Sequence, residues 1–148
     1  MPHNIEAMLV MAEERRSTLV NALERCGFDV LPVCDCNEAR RMLETQPGVQ
    51  VVVTDARLHD GDWRRVFEIV ARGRRKIEVI VCSRVGDPKL WLDVLEEGGY
   101  DVLVEPFEHE EVRRILEVAA ARSYMRSLAQ AINHKPKAAR AAVAGMRS

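Results

Sequence analysis

Six residues of this chain stand where short apolar runs end, and their types could do chemistry together. Glu13 and Glu14 follow Ala7–Met11 (AMLVM), Asp55 follows Val49–Thr54 (VQVVVT), Ser83 follows Ile77–Cys82 (IEVIVC), and Glu105 with Pro106 follows Asp101–Val104 (DVLV). Two or three carboxylates brought to one place can hold a hard divalent cation such as Mg²⁺ through oxygen ligands; Glu13, then Glu14, are the candidates beside Asp55. An aspartate so placed can also be a nucleophile toward phosphorus, forming an aspartyl phosphate. The competing reading is that acidic residues at such ends are solvated loop charges. Ser83 is suited equally to bonding its local backbone and to touching a phosphoryl oxygen. His59, in the loop after Asp55, is read as an ordinary loop histidine.

The elements that must position these residues alternate. Each apolar run is short and continuous, the signature of a strand buried on both faces, and Phe28–Val33 is a further one. Between them, apolar residues recur at helical spacing: Leu19, Leu23 and Cys26 up to Gly27; Ala39, Met42 and Leu43 after an N-cap at Asn37; Trp63, Val66, Phe67 and Val70; Leu90, Val94 and Leu95 behind Pro88; and Val112, Ile115, Leu116 and Ala119. Five β-α units in alternation imply a parallel sheet between two layers of helices. In such a sheet functional groups collect at the carboxyl ends of the strands. Trp91 sits beside the fourth helical stripe, at the edge of the core or as an anchor for a partner.

Composition bounds the rest. The chain has 148 residues, and its 47% hydrophobic and 30% charged content reads as one soluble globular unit. No apolar run approaches a membrane span, and MPHNIEAMLV lacks the pattern of a secretory signal, so a cytoplasmic location is expected. Cys26, Cys34, Cys36 and Cys82 are too sparse for a disulfide scaffold and lack zinc-site spacing; they read as reduced thiols. The net charge of −1 hides an asymmetry: residues 124–148 carry five basic side chains and no acidic one, leaving −6 on residues 1–123. Without an aromatic platform or a helix-turn-helix pattern, that tail does not point to nucleic acid. Nor does the chain contain a glycine-rich phosphate loop or a nucleophile elbow, so an independent enzyme is not expected.

The stretches VVVTDARLHDGDW (Val51–Trp63), IEVIVCSR, VLVEPF and GFDVLPVCDCNEARRML occur in an order that resembles a two-component response-regulator receiver domain over roughly residues 5–120. The resemblance implies an α/β three-layer sandwich, flavodoxin-like, with five parallel strands in the order 2-1-3-4-5. It implies Asp55 as phosphoacceptor, Ser83 as the hydroxyl after the fourth strand, Mg²⁺ as cofactor, a histidine kinase or phosphotransfer protein as partner, and a cis Glu105-Pro106 bond. Several positions depart from the family. The acidic pair after the first strand reads Ala12-Glu13-Glu14, in a segment about two residues short. The lysine before the proline is Glu105; like charges about 4 Å apart at an effective dielectric of 20 repel by about 4 kcal/mol before screening. The aromatic switch position on the fifth strand is Val102.

The expected organisation is a receiver-like domain over residues 1–123, then a helical extension and basic, Ala-rich tail over 124–148. Two functions follow: a receiver phosphorylated on Asp55 that switches a protein contact, or a phosphorylation-independent pseudo-receiver acting as scaffold or dimerisation module. Met125, Leu128 and Ile132 fall on one stripe opposite the core-facing side if the last helix runs on, with Pro136 as the first strong stop. A homodimer through that stripe is expected. The chain reads either as a stand-alone receiver or as the front of a longer protein.

Overall fold

The computed structural model describes residues 5–133. Five strands, β1 (Glu6–Val10), β2 (Asp29–Val33), β3 (Val49–Asp55), β4 (Glu78–Ser83) and β5 (Asp101–Val104), alternate with α1 (Glu13–Arg25), α2 (Cys36–Thr45), α3 (Trp63–Arg72), α4 (Pro88–Glu96) and α5 (His109–Asn133). The strands pair in parallel in the order β2-β1-β3-β4-β5. This is the parallel sheet between two helical layers read from the alternation, in the flavodoxin-like strand order that the resemblance implied. The segments Arg57–Leu58 and Gly61–Asp62 add a small antiparallel ladder in the loop after β3.

Side-chain alternation splits the core into two layers. Leu9, Met11, Val51, Val53 and Leu103 pack under α1 and α5, against Leu19, Leu23, Ile115 and Leu116. Met8, Val10, Val33 and Val52 point the other way and meet Ala39 of α2 and Val66 and Val70 of α3. Both faces of the central strands are covered, which is why Ala7–Val10, Val51–Val53 and Val79–Cys82 are apolar without interruption. Gly27 takes φ +89°, a conformation that ends α1 without Cβ strain.

One cap differs from its expected place. Asp35, not Asn37, caps α2: its carboxylate accepts from Glu38 N at 2.8 Å, while Asn37 N donates to Asp60 Oδ2 at 3.0 Å. Asn37 spends its own side-chain oxygen on Arg40, at 3.0 Å. An aspartate two residues earlier meets the first free N–H groups directly, so the helix starts there.

Helix α5 crosses residue 123 without a break. The Ser123 hydroxyl donates to the Lys76 carbonyl, and Arg126 Nη1 donates to Glu78 Oε1 at 2.5 Å, with Arg122 Nε at 3.4 Å. The Glu78 side chain is only 2% exposed, so these arginines neutralise a buried charge. Pro136 and the basic residues Lys135, Lys137, Arg140 and Arg147 lie outside the described residues. No helix among the described residues is long and apolar enough to cross a membrane. Arg126→Ala is expected to lower stability by about 1–2 kcal/mol in a denaturant melt, the loss of a charge-assisted bond. Arg122→Ala, at the longer distance, is expected to cost less.

Candidate functional site

The carboxyl ends of β1, β3, β4 and β5 meet at one edge of the sheet, as strand order requires. Asp55 is the last residue of β3 and is 6% exposed. Its register partner on β4 is Cys82, one residue before Ser83. Ser83 shares with Asp55 a cleft of about 510 Å³, lined also by Arg15, Ala56, Arg57, Arg84 and Val85. Glu105 and Pro106 border the adjoining side, and the peptide bond between them is cis, as the resemblance implied.

The centre of the site is a residue the sequence reading did not select. Arg15 Nε donates to Asp55 Oδ2 at 2.8 Å, and Nη2 donates to Asp55 Oδ1 and to Glu105 Oε1, both at 3.3 Å. Ala56 N adds a bond to Asp55 Oδ1 at 3.0 Å. The Arg15 side chain is 20% exposed, so one partly buried guanidinium bridges the two carboxylates of the site. Burial pulls its pKa down, but the hydrogen bond and charge of Asp55, with the charge of Glu105, outweigh burial and raise it. The fully buried Cys82 thiol behind Asp55 is pushed up, first by burial and then by the charges of Asp55 and Glu105; it stays protonated.

The sequence signal for Arg15 is the shortened segment after β1. Helix α1 begins at Glu13, directly behind Ala12, and Arg15 in its first turn comes to lie over Asp55. Glu13 and Glu14 are exposed in that same turn, where the helix dipole and water stabilise their charge. They do not join Asp55, so the expected ligand set of Glu13, Glu14 and Asp55 is not assembled. Ser83 Oγ donates to Val85 O at 2.8 Å and accepts from Val85 N at 3.2 Å, the local-backbone alternative.

Mg²⁺ does not fit this donor set. A hard divalent cation needs several oxygens free of other cations. Here Arg15 occupies the space between the two carboxylates that converge. Among the described residues, the one trio of His, Cys, Asp or Glu side chains close enough to share a cation is Asp35, His59 and Asp60, which excludes Asp55. That trio is explained by the fold. Asp60 accepts from Cys36 N at 2.9 Å and Asn37 N at 3.0 Å, and His59 Nε2 lies 2.8 Å from Asp35 Oδ2. It ties the loop after β3 to the start of α2. Burial would raise the Asp60 pKa, but the two backbone N–H groups reverse this and lower it. Burial, then the bond to Asp60, pushes the Cys36 thiol up to about 12.

A family model described as response regulator receiver domain matches residues 12–117. The chemotaxis protein CheY of Listeria monocytogenes is 23% identical over 107 residues, 71% of this chain and 88% of that protein. The two-component response regulator ARR10 of Arabidopsis thaliana is 26% identical over 109 residues, 73% of this chain; the match spans only 20% of that longer protein. Among solved structures, the receiver domain of a sensor histidine kinase from Pseudomonas aeruginosa PAO1, with a magnesium ion coordinated in its active-site cleft, superposes with TM-score 0.70 at 24% identity, covering 80% of this chain and 99% of that one. A response regulator receiver domain protein from Clostridium thermocellum gives TM-score 0.74 at 18% identity, covering 82% and 98%.

Two outcomes test the site. Arg15→Ala leaves Asp55 buried without its cation and is expected to cost about 3 kcal/mol. With the guanidinium gone, Asp55 and Glu105 face each other, so Mg²⁺ is expected to raise the melting temperature of the variant and leave that of the wild type unchanged. The second concerns His59, whose pKa is raised by its hydrogen bond to Asp35 against a small opposing effect of burial. A raised folded value means that the stabilisation is fully present below the unfolded pKa of about 6.5 and is lost as pH climbs through the folded value. The gap in melting temperature between wild type and His59→Gln is therefore expected to be constant at acid pH and to close as pH rises above about 6.5.

Proposed function

Because the chain belongs to the response regulator receiver domain family, we propose that it is a signalling receiver of the phosphorylation-independent kind, whose output is a protein contact. One observation carries this reading: Arg15 bonds both Asp55 and Glu105. Together the three side chains sum to −1. A phosphoryl group brings further negative charge to Asp55, and Glu105 repels it. In this reading Arg15 replaces in one side chain the cations that phosphorylation requires, and it holds the cleft in one state. The protein acts in the cytoplasm and is not itself an enzyme. Val85, Trp91 and Leu92 are exposed on and beside α4 and offer an apolar contact surface. Self-association through Met125, Leu128 and Ile132 belongs to the same reading.

A second reading has its own support. Arg57 and Arg84 line the cleft with Asp55 and Ser83 and could offset phosphoryl charge. On that reading a histidine kinase or phosphotransfer protein phosphorylates Asp55 slowly, with Ser83 and Pro106 shaping the site and Mg²⁺ entering only if Arg15 swings away.

Mass spectrometry after incubation with acetyl phosphate and Mg²⁺ separates the two. The proposal expects no phosphoryl adduct on the wild type. It expects an adduct to emerge when the charges are redistributed in Arg15→Ala/Glu105→Lys. A Mg²⁺-dependent adduct on the wild type, lost in Asp55→Asn, overturns the proposal in favour of the second reading.

A further inference from the structure

The carboxyl ends of α2 and α3 flank a groove of about 430 Å³ at the amino-terminal edge of the sheet, opposite the cleft of Asp55. Leu43 of α2, Ile69 and Val70 of α3, and Ile77 just before β4 form an aliphatic floor. Val70 and Ile77 are buried, whereas Leu43 and Ile69 are half-buried and leave apolar surface in the groove. Arg40, Arg72 and Arg75 line it with a single carboxylate, Glu44. Gly73 lies at its mouth with φ −77°, which any residue adopts, and a Cβ there would meet only the Val70 carbonyl, at 3.4 Å. The backbone therefore does not demand glycine, and the missing side chain leaves the mouth open.

We infer that this groove docks an acidic peptide segment of a partner protein, with an aliphatic side chain on the floor and carboxylates against the arginines. The inference rests on the reading above only in that the output is a protein contact. Charge selects the occupant. The body of residues 1–123 carries −6, yet three arginines and one glutamate give this lining +2. The fold leaves that charge available. Arg72 has no hydrogen bond or ion pair among the described residues. Arg75 donates to Leu43 O at 2.8 Å and to Gln46 O at 2.6 Å, neutral acceptors that leave its charge uncancelled. Burial lowers its pKa, and the charge of Glu6 offsets this only in part. Arg40 meets Glu44 at 3.8 Å, with both side chains exposed. The carbonyl ends of α2 and α3 oppose an anion, but each is worth about half an elementary charge against a full one on each guanidinium. The aliphatic floor adds nothing for a phosphate chain, and no aromatic ring lines the groove to stack a base. Residues 124–148 of this chain are basic and are repelled. An aliphatic residue flanked by carboxylates satisfies both floor and rim.

The test titrates the ¹⁵N-labelled full chain with a peptide of about twelve residues built from glutamate, alanine and two leucines. Two control peptides carry lysines in place of the glutamates or serines in place of the leucines. Amide shifts are expected to gather at Leu43, Ile69, Gly73 and Ile77, and each control is expected to bind roughly tenfold more weakly. Added salt is expected to weaken binding of the acidic peptide. Arg72→Glu is expected to lose roughly fivefold in affinity with an unchanged melting temperature, since Arg72 has no partner to lose, and Arg72→Lys to bind as the wild type does. No shift at millimolar peptide, shifts that gather elsewhere, equal binding of the lysine control, or full affinity in Arg72→Glu overturns the inference. Two further arms name other occupants. Decanoate that moves these amides where the acidic peptide does not gives the groove to a small amphiphile. The same shifts on concentrating the chain alone give it to a second copy. Either result overturns the peptide. A phosphoryl adduct on Asp55 would overturn the functional reading and leave these outcomes unaffected.

Discussion

The guanidinium of Arg15 is the interaction around which the edge of the sheet is organised. Strand order alone brings Asp55 from β3 and Glu105 from the end of β5 to one side of the sheet. Two carboxylates converging on a partly buried site repel unless something positive lies between them. In this chain that charge is covalently part of α1. Its bonds to Asp55 and Glu105 join the start of the first helix to the ends of the third and fifth strands, segments 40 and 90 residues apart in sequence. A mobile metal ion would leave the site responsive to metal concentration; a side chain does not.

The same substitution explains why the departures from the family occur together. The shortened segment after β1 starts α1 at Glu13 and swings Arg15 over Asp55. A lysine before Pro106 would then face a guanidinium, whereas Glu105 meets it as a second acceptor at 3.3 Å. Glu105 alone looks like damage to a phosphoryl site; beside Arg15 it is half of a charge arrangement that is consistent with itself. Both carboxylate oxygens of Asp55 are engaged, one of them also by Ala56 N, which leaves little reason for the group to move.

Much of the fold was legible because it rests on local pattern. β5 runs over Asp101–Val104 as read, and the other strands begin or end within a residue of the apolar runs. The place of Asp55 at the end of a buried parallel strand was legible too, whereas a phosphoacceptor role for it was only what the resemblance implied. The partner of Asp55 was not legible. Arg15 lies in a polar helix turn beside Glu13, Glu14 and Arg16, where nothing in residue type distinguishes a side chain aimed at the sheet from one in water. The acidic pair drew attention because carboxylates suggest metal, and the helix phase turned both outward. Asp60 and Asp35 were missed for a related reason: their caps join two loops, and loop-to-loop contact leaves no periodic trace.

The rotation of α5 about its axis is fixed at its far end rather than by the core alone. A helix presenting apolar residues on opposite sides could bury either row, because both offer aliphatic surface at helical spacing. The carboxylate of Glu78, 2% exposed, removes the ambiguity. It needs Arg126, and a turn of one residue would carry that guanidinium about 100° away and leave the charge unpaired. The Ser123 hydroxyl on the Lys76 carbonyl imposes the same phase. Polar contacts at the amino-terminal edge of β4 thus decide which apolar row the domain keeps and which it turns outward. The outward row is a consequence of where one buried charge must find its partner.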